Sequence, residues 1–436
     1  MTTASILTTA LLSLAALTAN AQHGAWSGKI DVMGTKLPLV FNFSDNGCTI
    51  DSPAQGANGI PAKKSVGDNG TIKVSIDVIG ASFEGKMEGD SISGMFRQNG
   101  IQLPLTLKAG KPEAKRPQTP VAPFPYKEES VSFTNSGFTL NGTLTLPENC
   151  SCGTPVVLMV TGSGQQNRNE EVAGHKPFAV IADALARNGI ASLRYDDRGW
   201  GDKSVNFTSF TTNDFMQDAE AGLQLLRKRF SNVGVLGHSE GGTIAMMIAE
   251  EGKADFIVSL AGMAVSGKST LLQQNRLAMS SLGIPADKAG KYIDVMEKAL
   301  SEIANGKKAN EISIDDCPAE LKPVITKALA QGDNPYIRYF ITVDASKNLS
   351  KIKCPVLALN GTKDTQVDCT ANTTALEKGL TNCKHTIKKF DGLNHMLQHC
   401  TTGSVVEYPQ IEETISPDVL TTVIEWINGL SNFSHQ

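Results

Sequence analysis

The chain is 436 residues long, 40% hydrophobic and 19% charged, with a formal net charge of −4. That length accommodates one large domain of roughly 300 residues and a smaller companion. Weak acidity without basic blocks argues against nucleic acid or an anionic membrane as partner, so the expected partner is a small, neutral molecule. Residues 1–21 form an apolar run (Ile6, Leu7, Leu11, Leu12, Leu14, Leu17) ending in Ala19-Asn20-Ala21, the small-x-small pattern before a signal-peptidase site. Lys and Arg are missing ahead of that run. About 14 apolar residues are too few to span a bilayer comfortably, so the run reads as an export signal whose removal leaves Gln22 first. The expected location is periplasmic or secreted. No cysteine lies just after the cleavage point, so no lipid anchor is expected.

Residues 22–108 read as a small all-β domain. Ile72, Val74, Ile76 and Val78 alternate with polar residues, as do Ile101, Leu103, Leu105 and Leu107, the period of half-buried antiparallel strands. Turns are expected at Asp45-Asn46-Gly47, Asp68-Asn69-Gly70 and Glu88-Gly89-Asp90. Residues 109–126 carry Pro112, Pro117, Pro120, Pro123 and Pro125 and read as a semi-rigid linker.

From 127 to 436 a different order holds. A hairpin is expected about Asn135-Ser136-Gly137, then a strand at 156–160, a helix at 178–187, a strand at 190–194, a helix at 215–230, a strand at 233–236, a helix from 239 and a strand at 256–260. Strand 356–360, a helix near 373–379, strand 386–390 and a helix at 417–427 follow. Such alternation specifies a parallel sheet wrapped by helices, because parallel strands need long crossovers. Between 260 and 354 the chain is mostly helical and too long for a loop, so residues 263–350 are expected to form a helical cap. All eight cysteines (Cys48, Cys150, Cys152, Cys317, Cys354, Cys369, Cys383, Cys400) survive cleavage. An exported chain permits disulfides, with any staples expected in the last 120 residues, where five of the eight lie. Cys150-Ser151-Cys152 is not a zinc spacing.

The chemistry centres on Gly237-His238-Ser239-Glu240-Gly241, where a buried strand turns sharply into a helix with a serine at the apex. Glycines on both sides let backbone approach backbone, and the helix N-terminus favours developing negative charge. Two further residues follow strand ends in the order such a sheet requires: Asp364 after strand 356–360 and His395 after strand 386–390. A serine hydroxyl is a poor nucleophile until an imidazole takes its proton, so His395 is read as the base and Asp364 as its orienting carboxylate. Asp368 and Asp391 compete for the latter task. His399 lies one helical turn beyond His395, but without a Glu between them the zinc-protease motif fails, and neither metal nor cofactor is expected. The oxyanion donors are expected to be the Glu240 N–H and an N–H of the loop Thr161-Gly162-Ser163-Gly164-Gln165, with Ser163 favoured and Gly164 beside it. The run Gln165-Gln166-Asn167-Arg168-Asn169 is either the mouth of the site or a polar surface loop.

Gly237-His238-Ser239-Glu240-Gly241-Gly242, Asp196-Asp197-Arg198-Gly199-Trp200-Gly201, Leu359-Asn360-Gly361-Thr362-Lys363-Asp364 and Gly392-Leu393-Asn394-His395-Met396-Leu397-Gln398 together resemble the α/β-hydrolase superfamily. Within it, the chain is similar to secreted bacterial two-domain serine carboxylesterases with a helical cap, over about residues 128–430. The resemblance implies a Ser239–Asp364–His395 triad and makes Asp197-Arg198-Gly199 a structural turn. Thr161 departs from the histidine common at that loop's start. The implied function is cleavage of small carboxylic esters through an acyl-enzyme; the alternative is a serine aminopeptidase of the prolyl type. An amine-binding peptidase needs acids near the cap, and Glu297, Glu302, Asp315 and Asp316 are available.

Overall fold

The computed structural model describes residues 23–32, 35–44, 47–52, 57–67, 70–98, 100–110 and 115–430. The expected export segment lies outside the described residues, as do Asp45, Asn46, Asp68 and Asn69 of two expected turns. The chain divides into two compact units, one of Met1–Lys115 with Val405–Gln410, the other of Arg116–Ser404 with Ile411–Gln436.

The first unit is a closed antiparallel barrel of β1 (Gly24–Val32), β2 (Thr35–Ser44), β3 (Gly47–Ser52), β4 (Ala57–Val66), β5 (Thr71–Ile76), β6 (Ala81–Glu88), β7 (Ser91–Gln98) and β8 (Ile101–Ala109). Each strand pairs with the next, and β1 closes on β8 through Trp26↔Ala109 and Ser27↔Lys108. Alternation turns Ile72, Val74 and Ile76 inward to meet Trp26, Phe41, Phe83, Ile92 and Leu105. Side chains thus fill the barrel, as its strand number allows. Val78 does not continue the alternation: it lies in the 3₁₀ turn Asp77–Ile79, 73% exposed, where Gly80 at φ +60° leads the chain into β6.

The second unit begins with the hairpin β9 (Lys127–Asn135) and β10 (Phe138–Leu146), then β11 (Val156–Val160), α1 (Pro177–Arg187), β12 (Ala191–Tyr195), α2 (Thr212–Arg227), β13 (Val233–His238), α3 (Glu240–Glu250) and β14 (Ile257–Leu260). The cap helices α4 (Gly267–Ser281), α5 (Ala286–Ala304), α6 (Lys322–Gly332) and α7 (Pro335–Phe340) intervene before β15 (Val356–Gly361), α8 (Cys369–Gly379), β16 (His385–Phe390) and α9 (Pro417–Leu430). The strands order as β16-β15-β14-β13-β11-β12-β10-β9, antiparallel only at β9, β10 and the β10–β12 join. Strands buried on both faces read as continuous apolar runs. Val156, Leu158 and Val160 face one core with Val233 and Val235, while Val157 and Met159 face the other with Leu236, Phe178 and Val419. The cap has its own core, in which Tyr292, Ile293, Met296, Leu300 and Ile303 recur at helical spacing along α5 and meet Ile325, Leu329 and Phe340.

The expected cysteine staples are not present: Cys317, Cys354, Cys369 and Cys383 carry free thiols, and Cys400 Sγ donates to the Gly392 carbonyl at 3.2 Å. The Asp197-Arg198-Gly199 turn is structural. Arg198, 1% exposed, donates to Asp218 at 2.7 and 2.8 Å and lies 4.7 Å from the Phe210 ring centroid. Removing the guanidinium strands the buried Asp218 charge, which Asn135 alone contacts otherwise at 2.7 Å. Arg198→Met should therefore lower stability by about 3–5 kcal/mol in urea unfolding, and adding Asp218→Asn should recover part of the loss. A cost below about 0.5 kcal/mol would contradict this packing account.

Candidate active site

The strand β13 delivers its last residue, His238, beside Leu260 of β14, and the Ser239 N–H donates to the Leu260 carbonyl at 2.9 Å. Ser239 then sits at φ 54°, ψ −120°, a conformation that costs a non-glycine residue on the order of 1–3 kcal/mol. Two glycines make the turn possible. A Cβ on Gly237 would strike the Gly241 carbonyl, and one on Gly241 would strike the Val160 carbonyl at the end of β11. The half-buried Ser239 side chain is thereby held at the carboxyl edge of the sheet, just before α3.

Asp364 and His395 meet at the same edge. His395 Nδ1 lies 2.8 Å from Asp364 Oδ2, and both side chains are nearly fully buried. The other carboxylate oxygen, Oδ1, accepts the Gln366 and Val367 N–H groups, each at 2.8 Å. With every bond to Asp364 coming from a donor, its orientation is fixed. The loop bearing His395 closes on itself through Asn394 and Gln398, whose side chains and backbone exchange hydrogen bonds at 3.0 Å. Among the described residues, no hydrogen bond joins Ser239 Oγ to His395; the His238 and His395 rings are 4.8 Å apart. The rival acids serve elsewhere: Asp368 caps α8 by accepting the Ala371 N–H, and Asp391 accepts from Thr362 Oγ1.

The loop after β11 lies against the elbow, so that a Cβ on Gly162 would come 3.1 Å from Ser239 Cβ. The Gly162 N–H is committed to Glu170 Oε1 at 2.7 Å, whereas the Ser163 and Glu240 N–H groups donate to no protein acceptor among the described residues. Gly164 follows at φ 92°, turning the loop away. The run from Gln165 to Asn169 is pinned rather than free. Gln165 Nε2 donates to the Arg198 carbonyl, the Gln166 N–H to Asp197, Arg168 to Asp196 and Thr143, and Asn169 Oδ1 accepts from Arg194.

Three side chains near Ser239, those of Glu170, Glu240 and Tyr336, escape a reading of the sequence. Glu170, 4% exposed, accepts from His238 Nδ1 at 2.9 Å as well as from Gly162, while His238 Nε2 lies 3.0 Å from the His395 carbonyl. Its neighbour Glu171 is exposed, and nothing in Asn169-Glu170-Glu171 tells the two apart. The Glu240 side chain accepts Thr212 Oγ1 at 2.7 Å and the Tyr336 hydroxyl of α7 at 2.5 Å, so one carboxylate ties the elbow to the cap. Burial pushes the Glu240 carboxyl above the usual range, against the pull of Tyr336, Thr212 and Ser163. Tyr336 in turn packs among Phe207, Phe215 and Phe340, with ring centroids 5.9 to 6.3 Å away.

The acids weighed for an amine-binding role are paired with lysines or exposed on the cap. Glu297 pairs with Lys268, Glu302 with Lys307, and Asp315 is 89% exposed. His175 is fully buried against Thr414 and Gln398, and His399 binds Glu413. Among the described residues no group of three or more His, Cys, Asp or Glu could hold a metal ion. A surface cavity of about 770 Å³ lined by Tyr126, Cys150 and Arg229 opens at the amino ends of the strands, the wrong end of such a sheet for substrate.

An eight-stranded sheet with a sharp glycine-flanked strand–serine–helix turn after β13 and a helical insertion after β14 defines an α/β-hydrolase. Residues 175–399, just over half of the chain, match the family described as serine aminopeptidase, S33, and the chain belongs to that family. It is similar to Esterase EstD of Thermotoga maritima, 29% identical over 273 residues that make up 61% of this chain and 60% of that protein. The chain thus spans about 60% of the length of that curated relative. Among solved structures, Est1E from Butyrivibrio proteoclasticus is 16% identical, with a TM-score of 0.42 over 69% of this chain and 98% of its own. Proline iminopeptidase of Mycobacterium smegmatis is 15% identical, with a TM-score of 0.42 over the same shares.

Glu240 sets a pH-dependent prediction. Its folded pKa lies above the ordinary value, so its stability contribution is present in acid and lost as pH rises through that folded pKa. The Tyr336 hydroxyl favours the carboxylate, so Tyr336→Phe should cost about 1–3 kcal/mol at a pH above the raised Glu240 titration and clearly less at a pH below it. Denaturant unfolding at both pH values checks this; an equal loss at both would contradict it.

Proposed function

We propose that the protein is a serine hydrolase that cleaves carboxylic esters through an acyl-enzyme on Ser239. The observation that supports this reading is the Asp364–His395 hydrogen bond at 2.8 Å on the sheet edge where β13 also ends in a serine held at φ 54°. The Ser239 Oγ–His395 Nε2 bond forms in the substrate complex, since catalytic hydrogen bonds are often long in the resting enzyme and tighten there. As Oγ attacks the carbonyl carbon, Nε2 takes its proton, and Asp364 stabilises the imidazolium through Nδ1–H. The negative charge moves to the carbonyl oxygen, facing the uncommitted Ser163 and Glu240 N–H groups and the positive end of α3. The tetrahedral species collapses when Nε2–H protonates the leaving alkoxide, leaving the acyl group on Oγ. Water then gives a proton to His395, attacks the acyl carbon and releases the acid, and the proton returns to Ser239.

Ester cleavage is favoured over amide cleavage because the cap acids weighed for gripping a free amine are otherwise engaged or exposed: Glu297 pairs with Lys268, Glu302 pairs with Lys307, and Asp315 is 89% exposed. The EstD name supports the same choice. The family description keeps aminopeptidase activity as the second reading. We also infer export, on the apolar run of residues 1–21.

Ser239→Ala should lower kcat/KM for a p-nitrophenyl ester by about 10⁴-fold or more without loss of the unfolding midpoint. Retained activity would remove Ser239 as nucleophile. The wild-type protein should turn over p-nitrophenyl acyl esters and leave aminoacyl and prolyl arylamides intact; the reverse preference would favour the peptidase.

A further inference from the structure

We propose that Glu170 and His238 form a buried carboxylate–imidazolium pair that positions the oxyanion loop and the base loop against the nucleophile. This rests on the hydrolase reading above. His238 Nδ1 faces Glu170 Oε1 at 2.9 Å and its Nε2 faces the His395 carbonyl oxygen at 3.0 Å. Both partners only accept. A neutral imidazole carries one N–H, so one contact would set lone pair against lone pair; the imidazolium, with two donors, satisfies both.

The charge has its counterion in place. Glu170 is 4% exposed, takes both His238 and the Gly162 N–H on Oε1, and leaves Oε2 buried without a partner. The ionisable groups facing His238 are Glu170 from the loop after β11, Asp364 from the loop after β15, and the His395 ring 4.8 Å away. Burial alone would lower the His238 pKa, but attraction to Glu170, the bonds to Glu170 and the His395 carbonyl, and the field of Asp364 outweigh it and raise the value to about 9.

The pair joins three loops that have no strand pairing among themselves. Glu170 holds Gly162, one residue before the Ser163 N–H; His238 precedes Ser239; and its Nε2–H holds the backbone of His395 itself. Glu170 sits at φ 52°, a left-handed conformation that a glutamate adopts only where its surroundings impose it. Because the folded pKa of His238 is raised, the pair is complete below the ordinary histidine value of about 6.5 and is lost as pH rises through about 9. Deprotonation removes one donor and releases either the oxyanion side or the base side. The consequence falls on kcat rather than on KM, since neither residue touches substrate.

The test uses the whole protein labelled with ¹⁵N-histidine, the His238 signals being assigned by their absence in His238→Gln. Both ring nitrogens should be protonated at neutral pH and titrate near 9, and Glu170→Gln should move that titration down by about one unit or more. In parallel, kcat for an aryl ester should fall about 10–100-fold in Glu170→Gln with KM changed less than about threefold. The wild-type decline in kcat above about pH 9 should shift to lower pH with it. Should Glu170→Gln not fold, His238→Gln serves instead: it keeps one neutral donor, and the decline near pH 9 should vanish. A His238 that titrates below about pH 7, or an alkaline decline unmoved in either variant, overturns the proposal. A charged His238 in a wild-type protein without ester turnover would instead sink the hydrolase reading and leave the ion pair standing.

Discussion

Close backbone packing at the elbow is the constraint on which the second unit depends. Gly237 and Gly241 carry no Cβ, so α3 can start against the Val160 carbonyl while Ser239 is bent to φ 54°. Parallel register then aligns the neighbouring strand ends, with Val160 beside Gly237, His238 beside Leu260, and Leu260 beside Leu359. Loops distant in sequence consequently open on one edge of the sheet. The strain at Ser239 is offset by the apolar faces that β11, β13 and β14 bury on both sides.

Around this edge, buried charges are arranged by what they can bond. Asp364 is met by donors alone. Glu240 has Thr212 and Tyr336 as donors but no cation, and its carboxyl is pushed up accordingly. Asp197, buried between Gln166 N–H and Thr161 Oγ1, is pushed well above the carboxylate range by desolvation. Arg198 with Asp218 and His238 with Glu170 are buried base–acid pairs in this region, beside His395 with Asp364. The first braces the turn after β12, and the second lies under the elbow. The cap is tied to the same region, because Tyr336 of α7 reaches the residue that follows Ser239.

What was legible in the sequence was local. The apolar runs of β11, β13 and β15, the glycines about Ser239 and the positions of Asp364 and His395 just after strands all follow from short-range pattern. Element ends shifted by a few residues where capping decided them: Thr211 and Asp214 form a capping box that starts α2 three residues before the apolar periodicity begins at Phe215. Val78 matched the strand period but yielded to the turn at Gly80. Glu170 was not legible, because its value lies in contacts with His238, 68 residues away, and with Gly162 across a folded loop. Tyr336 meets Glu240 across 96 residues, and no periodicity in a six-residue helix signals such a contact. Sequence offers no ground for choosing among the cap acids, whereas the fold pairs Glu297 with Lys268 and Glu302 with Lys307 and leaves Asp315 exposed.

The central claim is that Ser239 becomes covalently acylated during turnover, and the most direct measurement is mass spectrometry of the protein quenched with a slow aryl ester or treated with a fluorophosphonate. The account predicts a single adduct on the peptide containing Ser239, formed at a rate that falls when His395 is replaced by alanine. An adduct on another residue, or ester turnover with Ser239 unlabelled, would contradict it.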